Sequence, residues 1–330
     1  MEQRLQPHST ALAPVGGGGG GGGGEVGLLA PGLFFYHHIA KTAGTSWSVD
    51  IATLGGLSHC NTSHLVGPRS LETLADSVTS AVLAGRRQLR TGCNLFNREG
   101  GLASSVLRFS LHDVEPKLIL LLRDPVTHVR SMYSHCQAPT GVVRLRKEQG
   151  GSYRGIGFAE WLSLFDGSSQ NISDSSNRRR GRGRSKYCYY NPINYQTHLL
   201  VGPAYPPTGI GSGHQLNPAA NRLHVSPPAV RTLRTLLMER AFFVGLTEYY
   251  AQSLCLLGRK LGLGKLSTAG CATEIKVTHS DYGNKAGSTE LSNEVLARVR
   301  AITQIDQYAY GLALSRLVLE AGNAETSLWR

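Results

Sequence analysis

The sequence predicts an α/β protein with a central, mainly parallel sheet and flanking helices. Three short, largely apolar runs, at residues 33–38, 117–122 and 241–246, have the length and hydrophobicity of strands that are buried on both faces. Each run is followed by a loop and then by a stretch with helical features. Strand, loop and helix that recur in this order are typical of a parallel sheet, whose ligands bind at the carboxyl ends of the strands.

The remaining elements follow from apolar spacing and from helix start signals. Pro125 suits the first turn of a helix, and Ser70 is a possible helix cap. Residues 202–228 are rich in Gly and Pro and predict a loop. In chain order we predict a helix at 45–54, a helix at 70–83, a strand at 90–96, a helix from 125 to about 136, short helices at 158–165 and 194–200, a helix at 249–261 and a mostly helical segment at 291–320.

The chain length and a glycine run set the domain organisation. The 330 residues, 41% of them hydrophobic and 17% charged, suffice for one sizeable domain or two small ones. Residues 16–24 are nine consecutive glycines, which cannot pack a core. We therefore predict a disordered tail over residues 1–30 and a single domain over residues 31–330.

The formal net charge of +12 predicts an anionic partner, and by itself it leaves nucleic acid, phosphonucleotides, acidic polysaccharides and membrane surfaces open. Part of the charge is local, because residues 178–186 read RRRGRGRSK. Such a stretch is typical of a solvated loop, here within a flexible insert near residues 140–190. Alternatively, it forms a surface that attracts a polyanion.

The first chemical motif is HIAKTAGTS at residues 38–46, between a predicted strand and a predicted helix. Small residues let the main chain approach a phosphate closely, hydroxyl groups donate hydrogen bonds, and the helix start presents amides and a positive dipole end. Lys41 precedes the single Gly44, whereas the GxxxxGK[ST] loop of ATPases has its lysine after the glycines. An ATPase or an ordinary kinase is therefore disfavoured.

This motif resembles the 5′-phosphosulfate loop of sulfotransferases that use 3′-phosphoadenosine 5′-phosphosulfate (PAPS). It is closest to the carbohydrate-modifying branch that includes the heparan sulfate 2-O- and 6-O-sulfotransferases. The resemblance implies that Lys41 is the catalytic cation at the leaving group. It also implies that the donor is bound by the residues of the loop and helix start, namely Lys41, Thr42, Ala43, Gly44, Thr45 and Ser46.

The second motif is LLLRDPVTHVRSMY at residues 120–133. It resembles the 3′-phosphate motif of the same family, in which an arginine ends a buried strand, Asp-Pro follows, and a serine comes eight residues after the arginine. Arg123 and Ser131 fit that spacing. An arginine offers a planar fork of donors to a phosphate, and the serine adds a hydroxyl donor. Weaker likeness to the family extends over residues 194–200, 242–248 and 304–310.

The resemblance implies a P-loop-like three-layer sandwich, PAPS as the donor substrate, 3′-phosphoadenosine 5′-phosphate (PAP) as the product, and no metal. The catalytic base is expected between the two motifs. Glu99 follows the predicted strand at 90–96 and is the first candidate. His112 is the second, and no histidine occupies the place of Glu99, which departs from the 2-O and 6-O pattern.

Cysteines and sequons bear on the compartment. The six cysteines have no CxxC or Cys/His metal spacing, and pairs Cys255–Cys271 and Cys136–Cys188 are loosely in keeping with the lumenal branch. Asn61 and Asn171 lie in glycosylation sequons. No run is long and apolar enough to span a bilayer, and the N-terminus does not have the pattern of an ordinary signal peptide. We expect the Golgi lumen, or membrane association through an anchor that is missing here, with the cytoplasm as the alternative.

The expected function is therefore transfer of a sulfuryl group from PAPS to a hydroxyl of an anionic or neutral glycan. One alternative is a related enzyme that acts on a small-molecule alcohol or phenol. Another is a non-catalytic polyanion-binding protein that uses residues 178–186. Nucleic acid is not an expected partner, because no zinc-finger, RNP-type or helix-turn-helix signature is present.

Overall fold

The structure of the chain is a computed structural model that describes residues 33–54, 57–59, 94–99, 102, 116–137, 157–163, 165, 192–201, 227–262 and 291–322. The predicted tail, the predicted helix at 70–83, most of the predicted insert and the basic stretch at 178–186 lie outside these residues. His112, both sequons, Cys188 and Cys271 also lie outside them.

Four strands form a parallel sheet: β1 (Phe34–His38), β2 (Leu95–Glu99), β3 (Lys117–Leu122) and β4 (Phe243–Leu246). Their order in the sheet is β2-β1-β3-β4, and every pair is parallel. The sheet with its flanking helices forms an α/β three-layer sandwich, which confirms the predicted fold class.

The strand order places a crevice between β1 and β3. The chain leaves β1 toward β2 on one side, and it leaves β3 toward β4 on the other. The loops that follow β1 and β3 therefore diverge at the carboxyl edge of the sheet. In open α/β sheets this reversal point is where ligands bind.

The helices of the described chain agree with the predictions except at two places. The segment at 227–240 is helical, although no helix was predicted there. Its two leading prolines continue a Gly- and Pro-rich stretch that predicted a loop, but prolines also fit the first turn of a helix. The C-terminal segment is two helices that meet at Thr303. The helices are α1 (Gly44–Thr53), α2 (Pro125–Gln137), α3 (Phe158–Ser163), α4 (Tyr195–Val201), α5 (Pro227–Thr235, continued by a π-helical turn at Leu236–Arg240), α6 (Tyr250–Lys260), α7 (Asn293–Ile302) and α8 (Gln304–Gly322).

Aromatic rings join the helices to the sheet. The ring of Trp47 in α1 is parallel to that of Phe243 in β4, with centroids 6.4 Å apart, and it meets the ring of Tyr250 in α6 edge-on at 5.2 Å. Gly245 lets α6 approach β4, since a Cβ atom there would lie 3.0 Å from the Cβ of Ser253. This packing fixes α1, and with it the loop that precedes α1, against the sheet.

Cys255 lies fully buried in α6 and is disulfide-bonded. Its predicted partner, Cys271, lies outside the described residues, so the predicted pairing stays a prediction. Within the described part of the chain, no helix combines the length and apolar character that crossing a membrane requires.

Candidate anion-binding site

The loop between β1 and α1 has a backbone shape that few residue types favour. Lys41 and Ala43 have φ angles of 68° and 60°, in the left-handed region that is uncommon for residues other than glycine. Thr42, between them, donates its hydroxyl to the carbonyl of Ile39 across 2.8 Å, and its amide donates to the same carbonyl across 3.3 Å. Such conformations cost about 1–3 kcal/mol each and persist only where neighbouring groups enforce them.

Side chains outside the loop hold two of its carbonyl groups. His128 in α2 donates from Nε2 to the carbonyl of Ala40 across 2.8 Å. Arg123, which follows β3, donates from Nη1 to the carbonyl of Lys41 across 3.1 Å. Burial lowers the pKa of His128 to about 3, so the ring is neutral and its single N–H is committed to Ala40.

Thr247, which follows β4, holds the next carbonyl. Its hydroxyl lies 3.1 Å from the carbonyl oxygen of Thr42 and 3.1 Å from that of Leu122, so one hydrogen is shared between the loop and the end of β3. The consecutive carbonyls of residues 40–42 are thus held by donors from α2, from the end of β3 and from the end of β4. These contacts account for the persistence of the left-handed residues.

The loop ends at the N-terminus of α1, which carries the chemistry of an anion site. The first bond of this helix runs from the amide of Trp47 to the carbonyl of Ala43 across 2.9 Å. The amides of Gly44, Thr45 and Ser46 precede it and have no partner within the helix. The first turn has no acidic residue, and no side chain caps it at Ala43. The positive end of the helix dipole therefore favours an anion here.

Gly44 is required by its contact with His38. A Cβ atom at Gly44 would lie 1.8 Å from Cδ2 and 2.0 Å from Nε2 of the His38 ring. That ring is stacked on the ring of Tyr36 with centroids 6.0 Å apart and an interplanar angle of 12°. The side chain that ends β1 therefore covers the first residue of α1, and only glycine leaves room for it.

Lys41 reaches from the loop to α2. Its Nζ lies 3.2 Å from Nδ1 of His135. His128, Ser131 and His135 are spaced three and four residues apart, so they share one face of α2. His128 and His135 both contact the loop, and therefore Ser131, which lies between them, is on the face of α2 that is turned toward the loop.

Arg123 is held at the same edge by neighbouring polar groups. Its Nε donates to the hydroxyl of Thr127 across 3.2 Å, so this bond and the one to Lys41 use two of its five N–H donors. Burial lowers the pKa of Arg123, whereas the charges of Glu248 and Asp124 raise it. An arginine keeps its charge under such conditions, so a half-buried cation lies beside the loop.

The structure brings several predicted site residues together. Lys41 and Arg123 are in direct contact through the Lys41 carbonyl, and Ser131 is on the helix face beside them. Ala43 is the residue before α1, and the backbone of Gly44, Thr45 and Ser46 forms the first turn of this helix. Thr42 is buried, and its hydroxyl closes the loop as described above.

Of the two candidate bases, Glu99 and His112, only Glu99 lies among the described residues. Glu99 is the last residue of β2, whereas the sequence pattern predicted that the strand ends at residue 96. The polar residues at the carboxyl end of this strand gave no strand signal. In the sheet the backbone of Glu99 pairs with His38, at the neighbouring strand position about 4.8 Å away. His112 lies outside the described residues.

Sequence reasoning missed the donors that shape the loop. His128 and Thr247 were not among the predicted site residues, and neither was His135. The spacing of His128, Ser131 and His135 on one helix face was the available signal. Among the described residues, no group of three or more His, Cys, Asp or Glu side chains is arranged to hold a metal ion.

Comparison of the chain with protein-family models finds no match, and comparison with curated proteins finds none either.

Proposed function

We propose that this chain is a sulfotransferase that transfers a sulfuryl group from PAPS to a hydroxyl of a carbohydrate. The observation that carries the proposal is the position of Lys41 and Arg123. The loop with Lys41 follows β1, Arg123 follows β3, and these strands flank the crevice at which the strand order reverses. Two cations and a helix N-terminus at one such crevice match the chemistry of a ligand with several anionic groups.

The groups around the crevice support a division of roles. The amides of Gly44, Thr45 and Ser46 and the positive end of α1 suit the 5′-phosphosulfate. The Arg123 side chain has N–H donors beyond the two that it uses within the protein, and it suits the 3′-phosphate together with the Ser131 hydroxyl. Because Arg123 also holds the Lys41 carbonyl, one residue would couple the two ends of the donor.

The chemistry of the transfer requires a cation and a base. The acceptor oxygen forms a bond to sulfur while the bond between sulfur and the phosphate oxygen breaks, and PAP leaves. Lys41 would stabilise the negative charge that develops on that phosphate oxygen. The proton of the acceptor hydroxyl would pass to Glu99, which ends β2 at the same edge of the sheet, or to His112.

Charge and cysteine chemistry support a glycan acceptor in a secretory compartment. The net charge of +12 favours anionic polymers over small neutral alcohols. The disulfide bond at Cys255 favours an oxidising compartment such as the Golgi lumen, where the sequons at Asn61 and Asn171 could be glycosylated.

The test is transfer of labelled sulfate from PAPS to a panel of glycans and small alcohols, with PAP binding measured in parallel by calorimetry. Lys41→Ala should lower transfer by at least about a hundredfold, since it removes the cation at the leaving group. Lys117→Ala is the matched control, because Lys117 is exposed at the opposite, amino-terminal edge of the sheet. Glu99→Gln tests the base.

Each outcome is informative. Transfer to glycans that Lys41→Ala abolishes and Lys117→Ala preserves would support the proposal, whereas transfer only to small alcohols would contradict the glycan acceptor. Full activity of Glu99→Gln would move the role of base to His112. PAP binding without transfer to any acceptor would contradict the catalytic part, and absence of PAP binding would contradict the proposal as a whole.

A further inference from the structure

The N-termini of α4 and α8 cap each other. The Oδ1 atom of Asn194 accepts hydrogen bonds from the amides of Ile305 (2.9 Å) and Asp306 (3.3 Å) in the first turn of α8. In return, the carboxylate of Asp306 accepts hydrogen bonds from the amides of Gln196 (3.2 Å) and Thr197 (2.8 Å) in the first turn of α4. Amides that helices ordinarily leave unpaired are therefore satisfied across the contact, and the two helix ends are held in one orientation.

The side chain of Gln196 continues this link to Arg123. Its Oε1 accepts a hydrogen bond from the Arg123 amide across 2.9 Å, and its Nε2 donates to the Arg123 carbonyl across 2.8 Å. The main-chain N–H and C=O groups of Arg123, the residue that follows β3, are thus both bound by one side chain. Gln196 is itself buried, so this pair of bonds is shielded from water.

We propose that Asp306 and Gln196 are positioning residues for the nucleotide: Asp306 orients α4, and Gln196 thereby fixes the main chain from which the Arg123 guanidinium reaches its phosphate. This inference rests on the proposed function, in which Arg123 binds the 3′-phosphate of PAPS and PAP. A guanidinium group loses much of its affinity for a phosphate when the main chain that carries it is displaced, because its N–H groups must match the positions of the phosphate oxygens. The link makes the C-terminal helix α8 a support of the nucleotide site.

A residue that only stabilises the fold would give a different result from a positioning residue. Loss of a purely structural hydrogen bond lowers the free energy of unfolding and leaves the affinity of the folded protein unchanged. Loss of positioning lowers the affinity for PAP, and it does so only while the Arg123 side chain is present. A double-mutant cycle between Gln196 and Arg123 separates the two cases.

The experiment measures PAP affinity by calorimetry for the full chain and for Gln196→Met, Asp306→Asn, Arg123→Ala and the combination of Gln196→Met with Arg123→Ala. Gln307→Met is the matched control, because the Gln307 amide group also donates hydrogen bonds, but to the carbonyl of Arg300 and the hydroxyl of Thr303 and not to the main chain of Arg123. Gln196→Met and Asp306→Asn should each weaken PAP binding about threefold to tenfold, the range of one ordinary hydrogen bond. Gln307→Met should leave the affinity unchanged, and Gln196→Met should have no further effect in the Arg123→Ala background.

An equal loss of affinity with and without the Arg123 side chain would overturn the proposal, as would unchanged affinity of both single variants. Hydrogen exchange of the Arg123 amide in the ligand-free protein gives a readout that does not depend on PAP. Faster exchange in Gln196→Met and Asp306→Asn, but not in Gln307→Met, is expected, and unchanged exchange would overturn the link. If the wild-type chain does not bind PAP, the proposed function and the nucleotide role fall together, and the exchange rates alone decide whether Asp306 holds Arg123.

Discussion

The fully buried imidazole of His128 donates a hydrogen bond to the carbonyl of Ala40 across 2.8 Å, and this bond ties α2 to the loop that follows β1. The ring is uncharged because burial lowers its pKa to about 3, with smaller contributions from the charges of Arg123 and Lys41. Protonation of this ring would place a third cation beside two others in a buried site. The loop therefore depends on a histidine that must stay neutral.

Because the pKa of His128 is lowered, we expect the free energy of unfolding to fall at acidic pH. Its pKa is about 3 in the folded chain and about 6.5 in the unfolded chain, so between these values the unfolded chain binds more protons. The stability it contributes is present above pH 6.5 and is lost as the pH falls toward 3, by about 2 kcal/mol between pH 7 and pH 5. Urea unfolding of the wild type and of His128→Gln at both pH values measures this. An identical pH dependence of the two proteins would contradict the prediction.

For Asp306 we expect the opposite pH dependence of stability from that of His128. Burial raises its pKa from 3.8 to about 6, while bonds from Thr197 and Gln196 lower it. The folded chain therefore binds more protons than the unfolded chain between pH 3.8 and 6, and the cost of burying the carboxylate falls as the pH decreases through this window. Relative to Asp306→Asn, the wild type should gain about 2 kcal/mol between pH 7 and pH 4. Equal slopes of unfolding free energy against pH for the two proteins would exclude the raised pKa.

Gly44 predicts a steric requirement at the start of α1. Gly44→Ala should displace the His38 ring or the loop, because the added Cβ would lie 1.8 Å from the ring, and PAP binding should weaken about tenfold or more. Gly311→Ala is the control, since a Cβ atom at this exposed position in α8 has no atom within 4 Å. The control should keep its PAP affinity and gain up to about 1 kcal/mol of stability from helix propensity. Wild-type affinity in Gly44→Ala would show that the contact is tolerated.

We expect the conformation of the loop after β1 to depend also on the Thr247 hydroxyl. Thr247→Val keeps the shape of the side chain but removes the donor to Thr42 and Leu122, which should lower the free energy of unfolding by about 1–3 kcal/mol and weaken PAP binding. Ser315→Ala removes an exposed hydroxyl whose hydrogen bond stays within α8, to the carbonyl of Gly311, and it should change stability by about 0.5 kcal/mol or less. Chemical denaturation and PAP titration of both variants give the comparison. Equal effects of the two substitutions would mean that Thr247 does not hold the loop.

Cys255 predicts that stability depends on redox conditions. Removal of a disulfide bond costs about 2–4 kcal/mol, so Cys255→Ala should unfold at a lower denaturant concentration than the wild type. Mass spectrometry of the denatured chain should find Cys255 alkylated only after reduction, and the peptide linked to it would identify the partner. Alkylation of Cys255 without reduction would contradict the disulfide bond.

Local patterns were sufficient for most of the elements and for the positions of Lys41 and Arg123 after two buried strands. The predicted strand at 117–122 matches β3 at both ends, because the five apolar residues at 118–122 are bounded by Pro116 and Lys117 on one side and by Arg123 on the other. Small residues around Gly44 predicted the loop, and the observed contact with His38 explains the glycine. The helix that begins at Pro227 escaped prediction, since consecutive prolines signal a loop unless they occupy the first turn of a helix.

The sequence by itself determined the α/β class, the ends of β3 and the presence of Lys41 and Arg123 after two buried strands, since these depend on neighbours along the chain. Only the tertiary structure decided the strand order and the donors of the loop. Lys41 meets His135 across 94 positions, and Thr42 meets Thr247 across 205. Hydrogen bonds between groups so distant in sequence leave no periodic pattern, because they depend on how the sheet and helices pack.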